Sequence, residues 1–144
     1  MIVAGGGEVG VETSDLIMEK YKVTAISIVE MLDDIGPDMN PMDKALLFGN
    51  LSIFPNHFKN GLKIMTVTKI REFTDTGVSV MDKQFHEYEI EADTVVLAMG
   101  YSSNNKLFDE LKDRYPEVYL VGDAGHVRKI VDAVYQANYF AREI

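Results

Sequence analysis

The chain contains no cysteine and no tryptophan, and its 14 Lys and Arg residues are outnumbered by 23 Asp and Glu residues. The absence of cysteine excludes disulfide bonds, thiolate iron–sulfur ligands, cysteine zinc sites and a dithiol redox centre within these 144 residues. It is consistent with the cytoplasm, which is the location we expect. The formal net charge of −9 argues against nucleic acid as a partner, because phosphate backbones are bound by Lys and Arg.

Long apolar runs are also missing. No run approaches the ~20 residues that a membrane-spanning helix needs, and no basic segment precedes an apolar one at the N-terminus. We therefore expect neither membrane binding nor a signal peptide. His57, His86 and His126 lie far apart and match no metal-ligand spacing, so they are interpreted as isolated residues and no metal site is predicted. The length suits one domain with a real core, but not two nucleotide-binding domains.

The most informative stretch is a glycine turn that follows a short apolar segment at the N-terminus. Gly5, Gly7 and Gly10 stand in the G-x-G-x-x-G register of a dinucleotide-binding turn. In such a turn the first glycine lets the chain leave the strand sharply, the second lets a pyrophosphate approach the backbone, and the third lets the helix pack closely. The following helix would direct its free N–H groups at the phosphates. Taken alone, the motif also fits a flexible glycine turn.

A second apolar run supports the nucleotide interpretation. Val23–Val29 is rich in β-branched residues and ends at Glu30, which lies 20 residues after Gly10. A βαβ unit places an acidic residue at about this separation beside the adenosine ribose. The sequence therefore predicts ribose binding by Glu30, with an ordinary solvated residue at a strand end as the alternative.

Strands alternate with helices along the chain, which predicts an α/β fold: a Rossmann-like parallel sheet flanked by helices, with a small antiparallel β-meander. Right-handed crossovers predict the strand order 3-2-1-4-5, and the last two strands read as buried. In chain order these strands are Ile2–Ala4, Val23–Val29, Leu62–Val67, Val95–Ala98 and Val118–Val121.

Three helices are expected after the one that follows the glycine turn. The first begins at Pro41 with Asn40 as its N-cap and reaches to about Asn60, bent or broken near Phe54. The second runs from Lys106 to about Asp113. The third runs from Lys129 to Ile144 with an apolar face at Ile130, Val131, Val134, Ala137, Tyr139, Phe140 and Ala141. The meander comprises Lys69–Phe73, Gly77–Met81 and Phe85–Ile90, with one face towards water.

The motifs occur in an order that resembles a known family. They are residues 5–12 (Gly5-Gly6-Gly7-Glu8-Val9-Gly10-Val11-Glu12), Glu30, the meander, the loop 98–101 and the loop 121–124. This order resembles the C-terminal part of the FAD/NAD(P)-binding pyridine nucleotide-disulfide oxidoreductase-like flavoproteins. It is most similar to the NADH:flavin oxidoreductases and 2,4-dienoyl-CoA reductase-like enzymes that are fused to an Old Yellow Enzyme domain. The resemblance covers essentially the whole chain.

The resemblance implies roles for particular residues. A glycine turn followed by Glu12 is similar to the NAD(P)H turn of the family. The Gly100 loop is similar to the segment that returns the chain towards FAD. Gly122-Asp123 is similar to the segment that binds the ribityl chain of FAD. Without the resemblance, Glu12 is a first-turn helix acid and Asp123 a helix N-cap or loop acid. The expected cofactor-binding residues are Gly5, Gly6, Gly7, Glu8, Val9, Gly10, Glu12, Glu30, Met31, Gly100, Gly122 and Asp123. No catalytic residue is predicted.

The chain also departs from the family pattern. It has no second G-x-G-x-x-G to hold the FAD pyrophosphate, and Ser102-Ser103 stands where the family usually has Arg-Pro after the Gly100 loop. We therefore expect a domain fragment, with an NAD(P)H-binding domain at residues 1–105 and the tail of an FAD-binding domain at 106–144, packed onto the same sheet. The expected partners are a dinucleotide and the missing FAD and substrate domains of the flavoprotein. A homodimer formed through Val118–Val121 is an alternative.

Three functions remain open from the sequence. In the first, the chain is the NADH-binding portion of an enzyme that transfers hydride from NADH to FAD and on to a second flavin or an enoate or dienoyl substrate. In the second, it is a nucleotide-binding module without FAD or catalysis, and in the third the turn is a relic. Glu30, with no arginine close behind it, predicts NADH in preference to NADPH, and FAD is expected only in a full-length context.

The missing second glycine turn gives a first test. The purified chain, mixed with FAD and then desalted, is expected to show no visible flavin absorption, since nothing in it would hold the FAD pyrophosphate. Retention of stoichiometric FAD by the chain alone would contradict the assignment of residues 106–144 as only the tail of a flavin domain.

Overall fold

The structure is a computed structural model of the chain that describes residues 1–21, 23, 25–49 and 61–143, with the side chains of residues 46–49 left out. It divides into two compact units, Met1–Gly100 and Tyr101–Ile144. The functional division predicted at residue 105, and the packing of the second part onto the sheet, stay predictions.

The first unit alternates strands and helices in the way that the sequence predicts. In chain order its described elements are β1 (Ile2–Ala4), α1 (Glu8–Lys20), β2 (Ile26–Val29), α2 (Pro41–Gly49), β3 (Leu62–Met65), β4 (Lys69–Phe73), β5 (Gly77–Met81), β6 (Glu87–Glu91) and β7 (Val95–Leu97). Four of these strands form a parallel sheet in the order β3-β2-β1-β7. The predicted α/β class and the order of the first four parallel strands are confirmed.

The core lies on both faces of this sheet. On one face the antiparallel meander β4-β5-β6 contributes Val78 and Val80, which are fully buried and pack with Ile2 and Val29. On the other face, Val3, Ile26, Ile28 and Leu62 form a second cluster that helix α1 covers with Ile17 and Met18. Because β1 and β2 are buried on both sides, they read in the sequence as continuous apolar runs.

Helix α1 begins where the glycine turn ends, and its buried side is made of small residues. Gly10, Val11 and Ser14 are its buried positions, and Ser14 donates a hydrogen bond of 2.7 Å to the carbonyl of Gly10. Val9 and Leu16, which share the apolar periodicity in the sequence, are 53% and 45% exposed. Small buried residues allow the helix to lie close to the sheet, so the carboxyl ends of β1 and β2 sit next to its N-terminus.

Two expectations about the later strands are wrong. Strand β7 is not buried on both faces: it pairs with β1 at the edge of the described sheet, and Leu97 is 65% exposed. Val118–Val121 forms no strand within the described residues. A strand needs a neighbour for its backbone hydrogen bonds, and the described part of the second unit contains no other strand.

The second unit contains α3 (Lys106–Leu111), a 3₁₀ turn (Gly122–Ala124) and α4 (Ile130–Glu143). The ring of Tyr119 packs on Phe140 of α4 with centroids 4.9 Å apart, so within this unit the segment before the turn contacts a helix. The predicted apolar face of α4 is mostly exposed: Ile130 is 84% exposed and Val134 is 62% exposed. Of that face only Phe140 is partly buried, together with Ala133 and Gln136, which the prediction did not include.

The start of α2 is as the sequence predicts, because the Asn40 side chain accepts a hydrogen bond of 2.8 Å from the backbone N–H of Met42. The predicted continuation of this helix to Asn60, with a break near Phe54, lies outside the described residues. Among the helices that the structure describes, none has the length and apolar character required to cross a lipid bilayer.

The burial pattern gives a stability prediction. Replacing Ile28, which is 1% exposed, with alanine is expected to lower the free energy of unfolding by about 2–5 kcal/mol, because a cavity forms between α1 and the sheet. Leu97→Ala at the exposed edge strand is the matched control and should change it by about 1 kcal/mol at most. Urea unfolding followed by circular dichroism measures both. Equal losses would contradict the assignment of the core.

Candidate functional site

The glycine turn brings the start of α1 against the end of β1. Gly5 has φ +106°, a left-handed conformation that glycine adopts without the steric cost of a Cβ, and its N–H donates to the carbonyl of Val29 at 2.9 Å. A Cβ added at Gly10 would lie only 2.0 Å from the Gly5 carbonyl oxygen. The turn therefore has the close helix–strand contact that the third glycine of the motif predicts.

Glu30 is fixed beside this turn by two backbone donors. Its Oε2 accepts a hydrogen bond of 2.6 Å from the N–H of Gly6, and its Oε1 accepts one of 2.8 Å from the N–H of Leu32. The residue is partly buried at the end of β2. A Cβ at Gly6 would lie 2.7 Å from Ile35 Cγ2 and 3.1 Å from Glu30 Cβ, so only glycine lets the turn approach the glutamate this closely.

The end of β3 supports the backbone around Glu30. The N–H of Val67 donates to the Leu32 carbonyl at 2.8 Å, and the N–H of Thr68 donates to the Glu30 carbonyl at 2.9 Å. Val67 has φ +49°, which is strained for a β-branched residue and ends the predicted strand two residues early. The segment 30–32 is therefore held by hydrogen bonds from the segment after β3 and by the Glu30 carboxylate.

The N-terminus of α1 is capped from a distant loop. Its N-cap residue, Gly7, has no side chain, and the N–H of Glu8 instead donates at 3.0 Å to Oδ1 of Asp38, which is 30 residues further along the chain. A Cβ at Gly7 would lie 3.6 Å from the same oxygen. A carboxylate at a helix N-terminus satisfies a free donor and interacts favourably with the helix dipole.

The loop between β2 and α2 adds further charge to this edge. Lys44 Nζ lies 2.5 Å from Asp34 Oδ2. The hydrogen bond from that ammonium group holds the pKa of Asp34 below its ordinary value, so the carboxyl stays ionised at neutral pH. Asp33 is exposed beside it. The Asp34–Lys44 ion pair therefore contributes no net charge to this loop.

Most other predicted site residues of the first unit are open to solvent. Val9 and Met31 are 53% and 65% exposed, and Glu12 is exposed on α1. Gly100 has φ +85°, and a Cβ built there would meet no atom within 4 Å. The structure therefore brings the turn, Glu8 and Glu30 together at one sheet edge and leaves the surface around them accessible.

The two predicted residues of the second unit, Gly122 and Asp123, form part of its 3₁₀ turn. The Gly122 N–H donates at 2.8 Å to Gln136 Oε1, and a Cβ at Gly122 would lie 3.2 Å from that of Ala133 on α4. Asp123 is exposed, and its Oδ1 accepts a hydrogen bond of 3.3 Å from the N–H of Arg128. In the structure Asp123 thus stabilises its own loop. Its predicted role towards FAD stays a prediction.

The first unit has hydrogen-bonding groups and free space that fit a dinucleotide. The N-terminus of α1 attracts an anion, Gly7 has no side chain to block it, and Glu30 presents carboxylate lone pairs at a strand end about where a ribose would lie. Metal ligation has no comparable support. Among the described residues, no three His, Asp or Glu side chains come together as ligands, and His57 lies outside that part of the chain.

Comparison with known proteins identifies the family of the chain. Residues 1–137 match the model of the family described as pyridine nucleotide-disulphide oxidoreductase. The chain belongs to this family. It does so without any cysteine, so the disulphide chemistry in the family's name has no thiol to use within these residues.

Three similar proteins are all oxidoreductases by name. An NADH oxidase of Thermoanaerobacter brockii is 36% identical over 93% of this chain and 20% of its own length. A cinnamate reductase of Clostridium sporogenes is 32% identical over 100% of this chain and 21% of its own. A 2-naphthoyl-CoA reductase structure has a TM-score of 0.77 at 26% identity, covering 99% of this chain and 21% of its own. This chain spans about a fifth of these relatives, and the expected resemblance to the family is confirmed.

Two features of the site have no signal that sequence reasoning could use. Asp38 reaches α1 because Ile35 and Met39, 5% and 6% exposed, pack with Val11. These are two isolated apolar residues on either side of Gly36-Pro37, too few to define a helical or strand period. The strained backbone of Val67 likewise has no sequence signal, since nothing in the sequence predicts a valine with positive φ. Aspartate beside Gly36-Pro37 predicts a loop but not what that loop contacts.

The contacts of the glycines predict opposite outcomes for two substitutions. Gly10→Ala is expected to lower the free energy of unfolding by about 1–3 kcal/mol or to prevent folding, because its Cβ would collide with backbone. Gly7→Ala should change it by about 1 kcal/mol or less, since φ −68° suits alanine and its Cβ would make only ordinary van der Waals contact with the Asp38 carboxylate. Urea unfolding of both variants measures the difference. Equal destabilisation would contradict the close approach of α1 to Gly5.

Proposed function

We propose that this chain binds NADH at the carboxyl edge of its parallel sheet, as the nucleotide-binding portion of a longer flavin-dependent oxidoreductase. The observation that carries the proposal is the Glu30 carboxylate, which accepts a hydrogen bond of 2.6 Å from the N–H of Gly6 beside the N-terminus of α1. Membership of the pyridine nucleotide family and relatives with reductase and oxidase names support it.

Each part of the edge has a task in this proposal. The first turn of α1 faces the pyrophosphate with its N–H groups, and Gly7 lets the phosphate approach the backbone. Each oxygen of Glu30 already accepts one backbone hydrogen bond and keeps a lone pair, so the carboxylate can accept hydrogen bonds from the ribose hydroxyls. Exposed Met31, directly after it, offers apolar surface to the adenine ring.

In the longer enzyme the bound nicotinamide supplies a hydride for a flavin, and through it for a second flavin or an enoate or dienoyl substrate. The residues of this chain bind and orient the nucleotide, while Gly100, Gly122 and Asp123 contribute to the FAD site in the full-length context. The missing FAD and substrate domains are the proposed partners, and the proposed location is the cytoplasm.

A second candidate is a nucleotide-binding module that has no FAD and no catalysis of its own. The observation in its favour is the absence of a second G-x-G-x-x-G motif in a chain that spans about a fifth of its relatives. Reduction of an acceptor dye by NADH separates the two. Dye reduction by the chain with added FAD supports the enzyme portion, and NADH binding without reduction supports the module.

The role of Glu30 is tested by nucleotide titration in a calorimeter. The unmodified chain is expected to bind NADH at least about tenfold more tightly than NADPH, because the carboxylate repels a 2′-phosphate. Glu30→Ala should weaken NADH binding and narrow the difference. Glu19→Gln, an exposed glutamate near the end of α1, is the control and should leave both affinities unchanged. Tighter binding of NADPH than NADH by the unmodified chain would contradict the assignment.

A further inference from the structure

We infer that Asp38 occupies the phosphate position of the nucleotide site in the free chain and has to leave before a dinucleotide can bind. The inference rests on the proposed function and adds a residue that sets its affinity. A phosphate would enter the space beside Gly7, and the Asp38 carboxylate already lies there. Its two oxygens are 3.6 Å and 3.8 Å from the position of a Cβ built on Gly7.

Asp38 and a phosphate would also use the same donor. The Asp38 carboxylate accepts the hydrogen bond from the N–H of Glu8, in the first turn of α1. That N–H and the positive end of the helix dipole are what make a helix N-terminus bind phosphate. Because two anions at this distance repel one another, the carboxylate and a pyrophosphate exclude each other rather than share the donor.

The loop that carries Asp38 is anchored on both sides. The N–H of Gly36 donates to the Gly6 carbonyl at 2.6 Å, and Met39 is 6% exposed in a cluster with Val11. Asn40 caps α2 immediately afterwards. Asp38 itself is exposed. The carboxylate can therefore leave the helix N-terminus by rotating its side chain into solvent, while the loop backbone stays in place.

The exchange has a consequence for affinity. In the free chain the carboxylate accepts a hydrogen bond from a donor at the helix N-terminus, so it stabilises the state without ligand. A dinucleotide gains the interactions with α1 only after that cap is lost, and its measured affinity is lower by the free energy of the exchange. Asp38 thus weakens nucleotide binding, in contrast to Glu30, which is expected to strengthen it.

Neutralising Asp38 tests this directly. Asp38→Asn keeps the size and an oxygen acceptor for the Glu8 N–H but removes the charge, and it is expected to tighten binding of NADH and of inorganic pyrophosphate by about threefold to tenfold. Asp33→Asn removes one charge from the same loop and should change either affinity by less than about twofold. Calorimetry on the 144-residue chain measures both ligands, and thermal unfolding checks that each variant folds.

The possible results separate this inference from the proposed function. If the unmodified chain binds NADH and Asp38→Asn binds it equally or more weakly, the inference is wrong and the proposed function stands. If NADH binding tightens but pyrophosphate binding does not, Asp38 acts away from the phosphate position and the inference is also wrong. If no variant binds NADH, both proposals fall. Asp38→Ser, which retains a capping oxygen without charge, replaces the asparagine variant if that variant does not fold.

A dependence on Mg²⁺ would reveal a different arrangement. A carboxylate and a pyrophosphate can be neighbours when a divalent cation bridges them, and Asp38 would then strengthen binding. Tighter NADH binding on addition of MgCl₂, lost in Asp38→Asn, would overturn the inference. Equal affinities with and without Mg²⁺ agree with it. The amide signal of Glu8 in a nitrogen-15 spectrum gives an independent readout and should shift when pyrophosphate is added.

Discussion

The close approach of helix α1 to the turn after β1 determines the geometry of the whole sheet edge. It depends on Gly10, where even one methyl group would collide with the carbonyl of Gly5. Because the helix starts so near the strand, its free N–H groups lie within reach of the neighbouring strand end and of the loop that follows β2. The contacts of Glu30 and Asp38 with residues 6–8 both follow from that proximity.

Parts of this edge could be predicted from the sequence because their signals are local. The turn depends on three glycines within six residues, and Glu30 is placed by the length of a single helix and strand. The order of the first four parallel strands follows from their alternation with helices and the handedness of crossovers. Asp38 and Val67 could not be predicted, since their positions depend on which loop residues become buried, and two apolar residues such as Ile35 and Met39 are too few to define a periodic pattern.

The segment 118–121 shows the other limit of sequence reasoning. Val118, Tyr119, Leu120 and Val121 have the composition of a buried strand, but composition specifies only that the segment packs against apolar surface. A strand also needs a partner edge, and the described residues of the second unit supply α4 instead, with Tyr119 against Phe140. The exposed apolar face of α4 has the same origin: amphipathic periodicity predicts a contact surface but not the presence of its partner.

A chain with a net charge of −9 can still offer an anion site, because the N–H groups at a helix N-terminus act locally. Screening by salt limits the effect of distant charges to roughly 10 Å, so the acidic surface as a whole matters less than the groups in contact with the ligand. Glu30 accepts hydrogen bonds from two backbone N–H groups. In the proposed site it lies at the ribose end, where its charge would select against a further phosphate, and Asp38 lies at the phosphate end, where it would compete for the helix donor. Whether a carboxylate raises or lowers nucleotide affinity therefore depends on where it lies along the dinucleotide. The net charge of the chain predicts neither effect.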